Sequence, residues 1–165
     1  MDRRGHVRVF GFDESKGNWE QLYFDINGES PNDFSGESIA INQDGSKLIV
    51  GDIGSDGVDG NREGAGHARV FEVSERGWKQ VGRDLDGYEA IGEFGSSVQI
   101  NGVGDRVIVV APMVGGGGAD DGAVYVYDLI EFPVTESPDD TSTSGSVSSR
   151  VWGCIGTIAT LFWLC

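Results

Sequence analysis

A chain of 165 residues is long enough for one domain of ordinary size. Its net charge of −15 repels phosphate backbones and anionic lipid heads, which argues against nucleic acid as a partner. Val and Ile together number 29 against 6 Leu, and Gly supplies 27 residues. Branched side chains are stiff at χ1 and suit pleated strands, so helix bundles and coiled coils are disfavoured.

Along the chain, Met1 to Val7 carries no apolar run after its charged start, so no secretory signal peptide is read there. Strands are predicted over about 5–12, 19–24, 38–42, 47–52, 67–73, 78–82, 97–101, 106–111 and 123–129. The 106–111 run is almost continuously apolar, as in a strand buried on both faces. Asp44-Gly45 and the Gly-rich 102–104 segment read as hairpin turns, because these residues tolerate positive φ.

These strands repeat. Trp19 to Gly28 matches Trp78 to Gly87 at an offset of 59, as do Ser38 to Asn42 with Ser97 to Asn101, and Lys47 to Val50 with Arg106 to Val109. Gly5 to Phe10, Gly66 to Phe71 and Gly122 to Tyr127 are three related strands. Four short antiparallel strands per unit, radially repeated, suit a propeller blade. The expectation is an all-β fold: a partial β-propeller of about two four-stranded antiparallel blades over residues 1–130, with repeat units at about 19–77 and 78–129. Two blades and a strand are too few to close a ring. The chain is therefore expected to be part of a longer propeller, or an open unit that pairs with another chain through its edges.

Phe94-Gly95 followed by Val109-Val110-Ala111-Pro112 resembles the FG-GAP repeat of integrin alpha-subunit propellers. Trp78 to Gly87, Phe94 to Pro112 and Gly66 to Phe71 resemble still more closely the FG-GAP-like repeats of surface proteins from diatoms and marine bacteria. The resemblance covers about residues 5–129 and implies a blade fold and a recognition role. The first copy departs from the pattern, with Phe34-Ser35 in place of Phe-Gly and Gly51-Asp52-Ile53 in place of Gly-Ala-Pro. Integrin propellers bind calcium between the first two strands of a blade. Here that loop keeps only Asn42 and Asp44, or Asp105, which is too few ligands.

A second calcium candidate is the loop after the 47–52 strand. Asp52, Asp56, Asp59, Asn61 and Glu63 offer hard oxygens along a Gly-rich turn. The spacing is not that of an EF-hand, and the competing reading is a solvated acidic loop. His6 and His67 share one repeat position, which makes a structural role the expectation for both. Trp19 and Trp78 are expected to pack between blades rather than stack on a sugar. Neither a Gly-x-Ser-x-Gly elbow nor a His-Glu-x-x-His motif occurs, and no enzyme is expected.

Residues 131–150 are rich in Ser, Thr, Pro and acid and read as a linker or stalk. Residues 151–165 form a short apolar tail of helix-forming length that contains both cysteines, Cys154 and Cys165. The tail has three readings: a lipid-anchor signal, a shortened membrane helix, or an apolar end without a membrane role. The functional expectation is a non-catalytic recognition or adhesion module. It would sit at a membrane or an extracellular surface, with a protein or carbohydrate ligand and membrane contact through 151–165. The alternatives are a calcium-binding structural module, a fragment of a propeller hydrolase, and a remnant without an independent fold.

Overall fold

The computed structural model describes residues 2–57, 60–115 and 122–129. Among these residues the chain is all β, with no helix. Its sheets are antiparallel, and none closes into a barrel. A leading unit holds β1 (His6–Val7) paired with β4 (Ile26–Asn27), and β2 (Phe10–Asp13) paired with β3 (Asn18–Gln21). The central sheet runs β5 (Ser35–Ile41), β6 (Lys47–Asp52), β7 (His67–Ser74), β8 (Gly77–Gln80), with β9 (Leu85–Asp86) also on β7. The trailing sheet is β10 (Ser97–Ile100), β11 (Arg106–Ala111), β12 (Ala123–Asp128). The linker, the tail and Asp59 lie outside the described residues. No helix among the described residues is long and apolar enough to cross a membrane.

The sequence repeat is a repeat of register. Phe12 faces Trp19 as Val73 faces Trp78, and His6 faces Asn27 as His67 faces Asp86. Two differences from the sequence reading have local causes. The 5–12 strand is two strands with separate partners, and the 19–24 strand stops at Gln21 before Tyr23 turns to a φ of 66°. The two-residue β4 and β9 are too short to carry a hydrophobic period. The sheets also frame the repeat differently: the central one spans Ser35 to Asp86, whereas the sequence period runs from Trp19 to Trp78.

Structure also realigns one departure from the pattern. Gly5 bridges to Ser35 as Gly66 bridges to Phe94, and Gly36 and Gly95 share positive φ values of 91° and 94°. Ser35-Gly36, not Phe34-Ser35, therefore stands in the Phe94-Gly95 position. Phe34 is exposed, while Ser35 and Phe94 are both buried.

The core lies on both sides of β6 and β7, because alternate residues of a strand point to opposite faces. Leu48, Val50 and Phe71 pack on Val7 and Ile26 of the leading unit. Ile49, Ala68, Val70, Val81 and Leu85 join Val98, Val107 and Val109 of the trailing sheet. The approach is close: a Cβ on Gly51 would lie 2.0 Å from the Gly95 carbonyl oxygen. Trp78 packs against the first of these clusters and meets Tyr23 edge-on at 6.4 Å, so it does pack between units. Trp19 is exposed and lies edge-on to Phe12 at 5.3 Å.

Two apolar patches are bare. Val70 is 2% exposed, whereas Val126, at the matching place in the trailing sheet, is 56% exposed. On β5 of the central sheet, opposite Val50, Ile39 is 57% exposed, whereas its counterpart Val98 is 3% exposed. The expectation that 106–111 is buried on both faces is corrected for the same reason. In β11 only alternate residues are fully buried, while β6, which has a neighbour on each side, is buried almost throughout.

Phe94 is fully buried, with its ring 5.2 Å from Tyr125 and 6.5 Å from Tyr127. Burial holds the Tyr127 phenol well above its usual ionisation range, with the nearby Tyr88, Tyr125 and Asp86 adding to the effect. A group whose folded pKa is raised contributes stability that is complete below its unfolded value, about 10, and is lost as pH rises through the folded value. Tyr127→Phe is therefore expected to make stability less sensitive to alkali. Denaturation midpoints of both proteins between about pH 9 and 12 check this; parallel curves would refute it.

Candidate functional site

The departures at Ser35 and Asp52 meet in space. Asp52, at the end of β6, faces His67 across the β6–β7 ladder, and the side chains are 0% and 4% exposed. His67 Nε2 lies 2.7 Å from Asp52 Oδ2. Arg69, two residues along β7 and on the same face, brings Nη2 to 2.6 Å and Nε to 2.8 Å from the same oxygen. Arg69 Nη2 also donates to Ser35 Oγ at 3.0 Å and to the Asn27 carbonyl at 3.1 Å, and its guanidinium lies 5.5 Å from the Phe71 ring.

In the trailing sheet the same four places are apolar or aromatic. Register puts Ala111 opposite Ala123, as Asp52 stands opposite His67, and Val109 opposite Tyr125, as Val50 stands opposite Arg69. Phe94 there occupies the place of Ser35. One unit fills this volume with an ion network and the next fills it with Phe94 and Tyr125. A small hydroxyl at 35 leaves room for Arg69, and Arg69 neutralises Asp52, so the substitutions are physically coupled.

Burial alone would raise the Asp52 carboxyl, but the His67 hydrogen bond and the Arg69 charge outweigh it and hold the carboxyl below its usual range. Burial alone would lower the imidazole of His67, but Asp52, with help from Asp84, holds it above its usual value. Asp52 Oδ1 is buried without a hydrogen-bond partner.

Of the proposed calcium ligands, Asp52 is thus engaged by two basic side chains inside the fold, apart from the solvated acids. Asp56, Asn61 and Glu63 are exposed. Asp56 accepts the Gly64 N–H at 3.2 Å, and its carbonyl takes the Arg62 N–H at 2.9 Å, which shapes the loop. Asn42 and Asp44 likewise serve their own turn, accepting the backbone N–H groups of Lys47 and Ser46 at 2.9 Å each. Among the described residues, the titratable groups that do converge are Glu29, His67 and Asp84, with one ligand atom from each within 4.8 Å of the others. Asp86 is close by. Burial and the Asp84 charge raise its carboxyl.

A cleft of about 230 Å³ opens between the leading and central units, with Phe24, Asp25, Asn27, Arg76 and Trp78 in its walls. It brings aromatic and hydrogen-bonding groups together. Sequence reading singled out His67 and Asp52 and marked Ser35 as a departure from the repeat, but missed Arg69, Glu29 and Asp84. The usable signal was two polar residues, Ser35 and Asp52, standing where the second copy has Phe94 and Ala111. No protein-family model matches the chain, and no curated protein resembles it significantly in sequence.

Proposed function

We propose that the chain is a non-catalytic recognition or adhesion module built from FG-GAP-like propeller blades, which works at a cell surface with further blades against its two bare faces. The observation that carries this reading is the pair of faces at Val126 and Ile39, exposed where their repeat counterparts Val70 and Val98 are buried. The counterparts indicate what belongs there. The trailing face matches the surface of the central sheet that takes up Val107 and Val109, and the Ile39 face matches the surface of β10 that packs on the central sheet. A ligand, protein or carbohydrate, would be met by inter-unit clefts and loops such as the one lined by Phe24 and Trp78. Ser35 is held by Arg69 rather than by His67, so the buried Ser, His and Asp do not form a nucleophilic relay.

Light scattering tests the bare faces. The full chain is expected to show a mass that climbs with concentration in multiples of 17.6 kDa, and Val126→Lys or Ile39→Lys is expected to return it to the monomer. A monomer at every concentration that also fails to bind a hydrophobic dye would sink the reading.

A further inference from the structure

The central unit has moved a counter-ion. In the leading unit, Arg8 pairs with Asp25, its Nη2 lying 3.0 Å from Oδ2, and Gln21 donates to the same carboxylate at 2.6 Å. The repeat places Arg69 and Asp84 at those positions. Gln80 still donates to Asp84 at 2.7 Å, but Arg69 has turned inward to Asp52. Among the described residues, Asp84 is left with a neutral hydrogen-bond donor, and it faces His67 and Glu29.

We infer that Glu29, His67 and Asp84 form a site for a zinc-class divalent ion, oriented from behind by Asp52. An imidazole that donates its Nε2–H to a buried carboxylate leaves Nδ1 as the nitrogen open to a metal. This carboxylate–histidine arrangement is the support that metal-binding histidines receive in general. The ring is buried, with its side chain 4% exposed. The donor set also selects the metal. One imidazole nitrogen and two carboxylates suit zinc and its first-row neighbours, whereas calcium asks for six to eight oxygens.

Charge favours the same conclusion. Glu29, Asp52, Asp84 and Asp86 bring four carboxylates together beside the guanidinium groups of Arg69 and Arg62, and acids still outnumber the arginines there, which suits a cation. Around tetrahedral zinc, ligand atoms stand about 3.4 Å apart for bonds near 2.1 Å. The ligand atoms lie within 4.8 Å of one another, so the group must contract by up to about 1.4 Å. Glu29 is exposed, 3.8 Å from Arg69 Nη1, and can supply that movement. The fourth position is left to water. The site does not depend on the recognition reading above.

Calorimetric titration of the full chain with zinc chloride tests the inference. One ion per chain is expected, with no comparable heat from calcium. Glu29→Gln and Asp84→Asn, both at accessible side chains, should each weaken zinc by at least about tenfold, and His6→Ala should leave it unchanged. Because His67→Ala risks misfolding, imidazole-nitrogen NMR of the unaltered chain supplies the second readout: zinc should shift Nδ1 of His67 far more than Nε2. No uptake of zinc, uptake that survives the Glu29→Gln/Asp84→Asn double change, or loss of binding on His6→Ala would each overturn the site.

Discussion

Arg69→Met is expected to lower the unfolding free energy by about 3–5 kcal/mol, the usual result of stripping one partner from a buried ion pair. The cost comes from what stays behind. Asp52 is fully buried, one of its oxygens already lacks a partner, and the other would lose two of its three donors. Ser35 and the Asn27 carbonyl would lose theirs as well. The trailing sheet supplies the control. Changing Ser35→Phe, Asp52→Ala, His67→Ala and Arg69→Tyr together writes its residues into the central unit. A buried ion network replaced by well-packed apolar groups is often neutral or stabilising by about 1–4 kcal/mol, so the fourfold change should recover most of the loss. Guanidinium denaturation of the three proteins measures both effects. A loss below about 1 kcal/mol for Arg69→Met would mean that water or His67 already compensates Asp52.

Phe94→Ala is expected to cost about 3–5 kcal/mol, the range for emptying a buried aromatic site. Phe94 is almost completely buried and is shared by two units: its ring meets Tyr125 and Tyr127, and it belongs to the cluster that joins the trailing sheet to Val70 and Leu85. Backbone limits relaxation, because Gly66 and Gly87 pack against this residue so closely that a Cβ on either would collide with Phe94 or Ala65. The cavity should therefore persist. The same denaturation experiment checks this, and a cost near that of an exposed Phe12→Ala control would show that the site collapses freely.

Much of this architecture was legible because it repeats. Blocks offset by 59 residues located most strands, and the offset carried over to register, down to Trp19 and Trp78 facing equivalent partners. What the sequence concealed has two physical origins. Strands of two residues, such as Ile26–Asn27 and Leu85–Asp86, have no period to detect. Burial on the second face of a strand depends on a neighbouring sheet. β6 and β11 are both apolar runs, and only β6 is covered on both sides. The site was half visible for a related reason. Ser35 and Asp52 stood out as departures from the repeat, but Arg69 shares its sequence position with Arg8, which points at Asp25 instead. Which carboxylate an arginine chooses is decided by the space that Ser35 leaves, and that is a property of the packed fold. Glu29 and Asp84 are ordinary acids among 27 until the strands bring them to His67.

The covering of β6 and β7 on both faces also sets how the molecule comes apart. In a chain of like units, stability is close to a sum of unit terms and nearest-neighbour terms. The central sheet draws on two neighbours, through Val50 and Phe71 on one side and Ile49 and Val70 on the other. The leading hairpin and the trailing sheet draw on one each. Opening can therefore proceed inward from either end without crossing the middle, which leaves β6–β7 as the last structure lost and the natural nucleus for recovery. Strain introduced at Val126 reaches the central sheet through a single interface, and at the leading unit it has already passed a second.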